Sequence, residues 1–303
     1  MILNPRATTS RAARRVVEEA VRSARQDLSV VETQYRMHAV EIARDAARAD
    51  FDLVVAVGGD GTVNEVLNGL FSDGLRDDLP ALAIVPGGQA NVVARSLGYS
   101  NLPLEALGQV LENIAARKTR KITVGRADER WFAFTAGMGF DAAVLKRVEE
   151  ERAKGQRASS FLYTNCAVKE FYGSTKRFQP GITLDIPGQP PIPRLAQVIL
   201  SNTTPWTYAG VWPIDPNPDA TFEGGLDLFA MKRLDSLTTF WTLSQIVQVP
   251  GRPRGPHLVR RHNLWELTLR ARRPTPFQLD GDYIGERTAV TIRAFPTALT
   301  VVA

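Results

Sequence analysis

Leu53-Val54-Val55-Ala56-Val57, followed at once by Gly58-Gly59-Asp60-Gly61-Thr62, is the stretch that decides the architecture. Five consecutive apolar residues mark a strand covered on both faces, as in the middle of a parallel sheet. The glycines form the turn that follows, and a helix is expected through Glu65 to Leu70.

Outward from this centre, strand and helix alternate. On the amino-terminal side are a short strand at Ile2-Leu3, a helix capped by Ser10 with Ala13, Val16, Val17, Ala20 and Ala24 at helical spacing, a strand from Leu28 to Glu32 and an amphipathic helix from Ala39 to Ala49. On the other side are the strand Leu82-Ala83-Ile84-Val85 and helices over Asn91 to Leu97 and Leu104 to Ala115. Such alternation predicts a doubly wound parallel sheet that binds ligands at the carboxyl ends of its strands.

After about Val124 the pattern changes to short strands: Trp131 to Thr135, Gln197 to Leu200, Leu226 to Ala230, Leu264 to Leu269 and Ala289 to Arg293. The proline-rich run Pro187 to Pro193 reads as a hairpin or edge loop. Val144 to Lys154, with alternating charges, reads as an exposed helix. The expected division is an α/β domain over residues 1–124 and an antiparallel β domain over 125–294.

Three motifs carry chemistry. Glycines at Gly58, Gly59 and Gly61 let the backbone approach a ligand, and their amides together with a helix start favour phosphate. Asp60 would repel phosphate unless a magnesium ion bridges the two; the other reading is a tight turn with Asp60 as helix cap. Pro86-Gly87-Gly88-Gln89-Ala90-Asn91 repeats the strand–glycine–helix arrangement and would supply the second wall of one phosphate or nucleotide cleft. Leu279-Asp280-Gly281-Asp282 is an Asp-Gly turn, or else a pair of carboxylates sharing a metal or a proton. Gly58-Gly59-Asp60-Gly61-Thr62 is neither a Walker A loop, which needs Gly-Lys-Ser/Thr, nor a spaced dinucleotide fingerprint.

Composition bounds the rest. The 303 residues are 44% apolar, enough for a sizeable core. A single cysteine, Cys166, excludes an intrachain disulfide and points to a reducing cytoplasm. The opening MILNPRATTS lacks the basic start and long apolar run expected of a signal peptide, and no apolar run reaches the ~18–20 residues of a membrane span. The net charge of +5 favours anionic partners. Basic residues cluster at Arg117, Lys118, Arg120 and Lys121, at Arg252, Arg254, Arg260 and Arg261, and at Arg270, Arg272 and Arg273. No zinc spacing, recognition helix or aromatic RNA-binding signature accompanies them, so nucleic acid is not an expected partner.

Gly58-Gly59-Asp60-Gly61-Thr62-Val63-Asn64-Glu65-Val66 resembles the GGDGT-x-NEV signature of the diacylglycerol kinase catalytic family, which includes bacterial lipid kinases, sphingosine kinases and ceramide kinases. Similar matches run along the chain: Asn4-Pro5; Thr33 with His38-Ala39; Gly139-Phe140-Asp141-Ala142; Asn202; Glu223-Gly224-Gly225-Leu226-Asp227; and Leu279-Asp280-Gly281-Asp282. The resemblance implies an α/β domain joined to a β-sandwich domain, with residues 295–303 returning to the first. It implies that ATP and Mg2+ are used to phosphorylate a lipid hydroxyl, diacylglycerol foremost.

Carried over residue by residue, the nucleotide contacts are Asn4, Thr33, Gly58, Gly59, Asp60, Gly61, Thr62, Asn64, Gly88, Gln89 and Asn91. The amides of Gly59, Gly61 and Thr62 would hold phosphates. Asp280 is one candidate base and Asp60 its rival; Asp60, Glu223 and Asp282 are the candidate metal ligands. A bilayer-borne acceptor implies peripheral attachment to an anionic membrane on its cytoplasmic face, through the basic clusters and through Trp206 and Tyr208 in the loop Thr203 to Gly210. Self-association into a homodimer is left open.

Departures are Gln89 for the family's threonine, Val92 for its aspartate, and Ala7-Thr8-Thr9-Ser10 for its Ser-Gly after Asn-Pro. Gln89 and Val92 leave room for a weakly active lipid- or nucleotide-binding homologue, and a related kinase with a sphingoid acceptor is the other alternative. NAD kinases share the GGDGT loop but place their Asn-Glu pair well after it, whereas Asn64-Glu65 follows here at once.

Overall fold

Parallel strands in register carry the first half of the chain. The computed structural model describes residues 1–5, 15, 28–156, 159–173, 180–210, 212–248 and 251–303. It divides into two units, one of residues 1–124 with 296–303 and one of residues 125–295. The expected helix capped by Ser10, and the departure at Ala7 to Ser10, lie outside the described residues except Arg15.

The first unit contains β1 (Ile2–Leu3), β2 (Val31–Glu32), α1 (His38–Arg48), β3 (Leu53–Gly58), α2 (Asp60–Leu70), β4 (Ala81–Pro86), α3 (Val92–Ser96) and α4 (Pro103–Ala115), and β5 (Thr119–Ala127) leads out of it. β1 pairs in parallel with both β2 and β3, and β3 with β4 from Leu53↔Ala81 to Gly58↔Pro86. Val54, Val55, Ala56 and Val57 are all buried, as an unbroken apolar run requires when helices cover both faces. Helix α1 buries Ala39, Ala43 and Ala47, one residue every four, so one stripe of small side chains packs inward.

The second unit contains β6 (Arg130–Phe132), β7 (Thr135–Gly139), α5 (Phe140–Ala153), α6 (Ser160–Gly173), β8 (Ile182–Asp185), β9 (Ile192–Leu195), β10 (Gln197–Ser201), β11 (Thr207–Ala209), β12 (Trp212–Ile214), β13 (Leu226–Met231), α7 (Ser236–Ile246), β14 (Leu258–Leu264), β15 (Glu266–Leu279) and most of β16 (Asp282–Val302). Its strands are antiparallel, running β14-β13-β10-β7-β15-β16, with β8 paired to β15 and β9 to β8. One core that includes Phe132, Met138, Leu184, Leu200, Leu228, Phe277 and Ile292 fills the space they enclose. The last residues of β16 belong to the first unit, where Val301 pairs in parallel with Leu82 and the Tyr99 hydroxyl donates to the Val302 carbonyl at 2.6 Å.

The fold class is the expected one, a parallel α/β unit followed by an antiparallel unit. Two elements differ from expectation. Among its described residues the second unit holds three helices where one was expected, α6 and α7 having been assigned no element from sequence. The separate short strands near the end are two long ones, β15 and β16, of 14 and 21 residues.

Candidate active site

The four parallel strands of the first unit bring their carboxyl ends to one edge, and the nucleotide-contact residues expected in that unit gather there. Asn4 continues the ladder beyond β1, donating its N–H to the Val57 carbonyl at 3.0 Å; Thr33 does the same beyond β2, donating to Leu3 at 2.9 Å. Asn4 Nδ2 donates to Thr62 Oγ1 at 3.1 Å, which ties β1 to the first turn of α2.

The two glycine turns touch backbone to backbone. Gly87 N–H donates to the Gly58 carbonyl at 2.8 Å. A Cβ placed on Gly88 would stand 2.7 Å from the Gly59 Cα, so neither turn accepts a side chain at the contact. Asn91, only 4% exposed and in the left-handed region at φ 47°, closes the second turn on itself. Its Oδ1 accepts from Gly88 N–H at 2.8 Å and its Nδ2 donates to the Gly88 carbonyl at 2.9 Å. The Asn91 amide therefore shapes the turn.

Asp60 is half-buried at the start of α2. Its Oδ1 accepts the N–H of Val93 in the first turn of α3 at 3.2 Å. The carboxylate thus caps the neighbouring helix and locks one glycine turn to the other. Thr62 N–H and Val63 N–H both donate to the Gly59 carbonyl, at 2.9 and 3.1 Å. The Thr62 amide, expected to hold phosphate, is occupied within its own helix.

Asn64 is buried, with its Oδ1 accepting from Asn68 at 3.2 Å. Gln89 is exposed, and Val92 is 1% exposed in the core, so the position where the family carries an aspartate faces inward here. Glu65, next in the signature but given no role from sequence, reaches back to α1: its carboxylate accepts the N–H groups of Met37 at 3.0 Å and Ala39 at 3.3 Å.

In the second unit Asp280 is 4% exposed and holds a left-handed φ of 48°, a region aspartate tolerates. Its Oδ2 accepts from Ala133 N–H at 2.7 Å, and its Oδ1 from Phe134 and Thr135 N–H at 2.9 and 3.0 Å. Asn202, also buried, donates to the Ala133 carbonyl at 2.8 Å. Together the two side chains pin the segment entering β7.

Asp141, matched in sequence but given no role, opens α5 and is buried. Burial pushes its carboxyl up to about 6, against a hydrogen bond from Gln278 that pulls the other way. Its Oδ1 has no hydrogen-bond partner. A Cβ at Gly137 would fall 2.0 Å from Asp141 Oδ2, so that glycine makes the room for the carboxylate.

Among the described residues no three acids, histidines or cysteines gather as a metal cage. Glu223 stands exposed on its loop, and Asp227 of the same motif is engaged by His262 Nδ1 at 2.9 Å and Asn263 N–H at 3.0 Å. Asp282 is half-buried at the start of β16. A cage is not what magnesium requires beside phosphates, since it keeps waters and takes one or two carboxylates. Asp60, at a helix start between two glycine turns, fits that lesser demand.

A cavity of about 370 Å3 lies elsewhere in the second unit, lined by Gly139, Phe140, Lys146, Arg147, Leu195 and Arg273 among others. It opens at the Gly139 end of β7, whereas Asp280 binds the Thr135 end, four residues or ~13 Å away along the strand.

Residues 1–127 match the family model of the diacylglycerol kinase catalytic domain. A diacylglycerol kinase of Bacillus subtilis is 38% identical over 101 residues, 33% of this chain and 31% of that protein. A probable lipid kinase YegS-like of Chromohalobacter salexigens is 39% identical over 124 residues, 41% of this chain and 38% of that protein. The matched stretch thus spans about a third of these curated relatives. The whole chain shares the fold of a diacylglycerol kinase from Bacillus anthracis, at a TM-score of 0.69 and 20% identity over 99% of this chain and 94% of that one. It shares the fold more distantly with an ATP-bound NAD kinase from Archaeoglobus fulgidus, at a TM-score of 0.51 and 10% identity over 100% of this chain and 92% of that one.

Proposed function

We propose that the protein is a lipid kinase that transfers the γ-phosphate of ATP to a lipid hydroxyl, with diacylglycerol as acceptor. The observation that carries the reading is the pair of touching glycine turns, Gly58–Gly61 and Gly87–Asn91, locked by the bond from Val93 N–H to Asp60. Phosphoryl transfer asks a protein for alignment and charge neutralisation rather than covalent chemistry. Paired backbone turns at the carboxyl ends of parallel strands, each running into a helix start, meet that demand.

Asn4, Thr33 and the two turns would bind the nucleotide. Asp60 would hold a magnesium ion, which supplies positive charge against the phosphates. Gln89 and Asn91 would act through the shape of their turn. Of the two carboxylates offered as proton acceptor, Asp280 already receives three backbone N–H groups. Those bonds already engage both of its oxygens with the backbone. Asp280 is therefore assigned to positioning Ala133–Thr135, and proton acceptance to Asp60 or to water. Attachment to an anionic bilayer follows from an acceptor that lives in one; no helix among the described residues is long and apolar enough to cross it.

The test is labelled ATP with total lipid extract, followed by identification of the labelled product. Phosphatidic acid supports the reading; a labelled sphingoid base moves the acceptor; no labelled lipid in any extract overturns it.

A further inference from the structure

Helix α7, Ser236-Leu237-Thr238-Thr239-Phe240-Trp241-Thr242-Leu243-Ser244-Gln245-Ile246, is built inside out. Its threonines face the protein: Thr238 is 8% exposed and Thr242 1%. Its large apolar side chains other than Ile246 face away: Leu237 is 81% exposed, Phe240 55%, Trp241 62% and Leu243 44%, while Ile246 is 9% exposed. A surface helix ordinarily shows the reverse.

Hydrogen bonds hold it in this orientation. Asp235 caps the helix, accepting from Thr238 N–H at 3.0 Å and from its hydroxyl at 2.6 Å. Thr242 Oγ1 donates to the Thr238 carbonyl at 2.7 Å and lies 2.8 Å from His257 Nε2. These bonds satisfy Thr238 and Thr242, and rolling the helix to bury Trp241 would break them. A second exposed indole stands near: Trp212, 70% exposed, leads through β12 to Asp215, whose N–H donates to the Ile246 carbonyl at 3.2 Å.

The helix carries no charge of its own, and cations flank both ends. Lys232 and Arg233 precede it; Arg252 and Arg254 follow, all exposed. Arg254 is tied to the helix, its N–H donating to Gln245 Oε1 at 2.9 Å. The acids among them are already paired, Asp235 with Arg233 at 3.2 Å and Asp219 with Arg252 at 3.3 Å and Arg260 at 3.5 Å.

We propose that this face of α7 docks the protein on an anionic bilayer, with Leu237, Phe240 and Trp241 entering the interfacial zone and Lys232, Arg233, Arg252 and Arg254 meeting lipid phosphates. The choice of a bilayer as occupant rests on the lipid-kinase reading above and on charge. A two-fold copy would set arginine against arginine, whereas anionic headgroups complement them. Tryptophan at the water–hydrocarbon boundary and an apolar face between cations are what an interfacial helix requires.

The experiment uses the full chain, the double variant Leu237→Ser/Trp241→Ser and the charge reversal Lys232→Glu/Arg254→Glu. Each is sedimented with vesicles of phosphatidylglycerol and phosphatidylcholine and with vesicles of phosphatidylcholine alone. Thermal melts check folding, sedimentation velocity reads self-association, and turnover is measured on a short-chain diacylglycerol in monomeric solution. The expected result is at least a ten-fold loss of affinity for anionic vesicles in both variants, with unchanged melting and unchanged turnover on the soluble acceptor. Should the first variant misfold, the charge reversal carries the test alone. Wild-type protein that ignores anionic vesicles, or variants that bind them as well as wild type, overturns the proposal whatever the enzymology; loss of self-association without loss of vesicle binding assigns the face to a second copy and also overturns it. Loss of vesicle binding in a protein that phosphorylates no lipid leaves the docking face standing and removes the kinase reading instead.

Discussion

Asp60 Oδ1 accepts the backbone N–H of Val93 across 33 residues of sequence, so one carboxylate both faces the first glycine turn and fixes the second. Asp60→Asn keeps an oxygen for this bond and loses the charge. The expected outcome is a protein that melts close to wild type and turns over at least ~10²-fold more slowly, the scale of losing one electrostatic stabiliser at a reacting phosphate. Phosphorylation measured at saturating magnesium checks it: activity within a few-fold of wild type would remove Asp60 from the site.

Glu65 supplies the carboxylate that the start of α1 lacks, since Met37 at the N-cap offers no side-chain bond. Glu65→Ala should cost about 1–2 kcal/mol, the usual loss when a helix start loses its acceptor. Hydrogen exchange at Met37 and Ala39 should accelerate together, ahead of amides in β3. Unchanged exchange at both would show that water replaces the carboxylate at no cost.

Asp280→Asn replaces one carboxylate oxygen by an NH2 group, which cannot accept from Ala133, Phe134 or Thr135. An unsatisfied buried donor costs about 1–3 kcal/mol. Stability should fall by that order, while turnover per folded molecule should fall less than the ~10²–10⁴-fold of a lost general base. Denaturant titration and turnover on one preparation separate the two. A drop of that larger size in a folded variant with normal ATP binding would return the base to Asp280.

Asp141 gives the fold a pH dependence of definite sign. Its folded value of about 6 lies above the ordinary 3.8, so the native state holds a proton that the unfolded chain gives up first. Its contribution is fully present below pH ~4, falls as pH rises from about 4 to 6, and stays lost above. The difference is on the order of 3 kcal/mol. Asp141→Asn should flatten that part of the stability profile and should melt higher than wild type at pH 8. Equal slopes in denaturant titrations between pH 4 and 7 would show that the carboxyl is not buried as described.

The parallel unit was legible because its signals are local. An unbroken apolar run, a glycine turn and a helical stripe each lie within a few residues, and Leu53 to Thr62 contains two of the three. The second unit was less so. Helix α7 escaped because its apolar residues other than Ile246 face solvent while Thr238 and Thr242 face inward, so its pattern points to no apolar buried face. The exposure expected of Trp206 and Tyr208 was also misjudged. Trp206 and Tyr208 are half-buried, with the Trp206 indole N–H donating to Thr135 Oγ1 at 3.1 Å, whereas the exposed indoles are Trp212, Trp241 and Trp265. Within the site, residue types were readable but their partners were not. That Asp60 holds Val93, Glu65 holds α1 and Asn91 holds its own turn depends on contacts that no spacing in the chain announces.

The pairing of Val301 with Leu82, sealed by Tyr99 on Val302, sets an order of events during synthesis. Residues 1–124 are complete about 170 residues before residues 296–303 exist. At 5–20 residues per second the first unit waits roughly ten to thirty seconds for that partner, with one side of β4 unpaired. A nascent chain halted between the two would display a naked apolar strand, and the holding of that edge falls to whatever meets the chain at the ribosome.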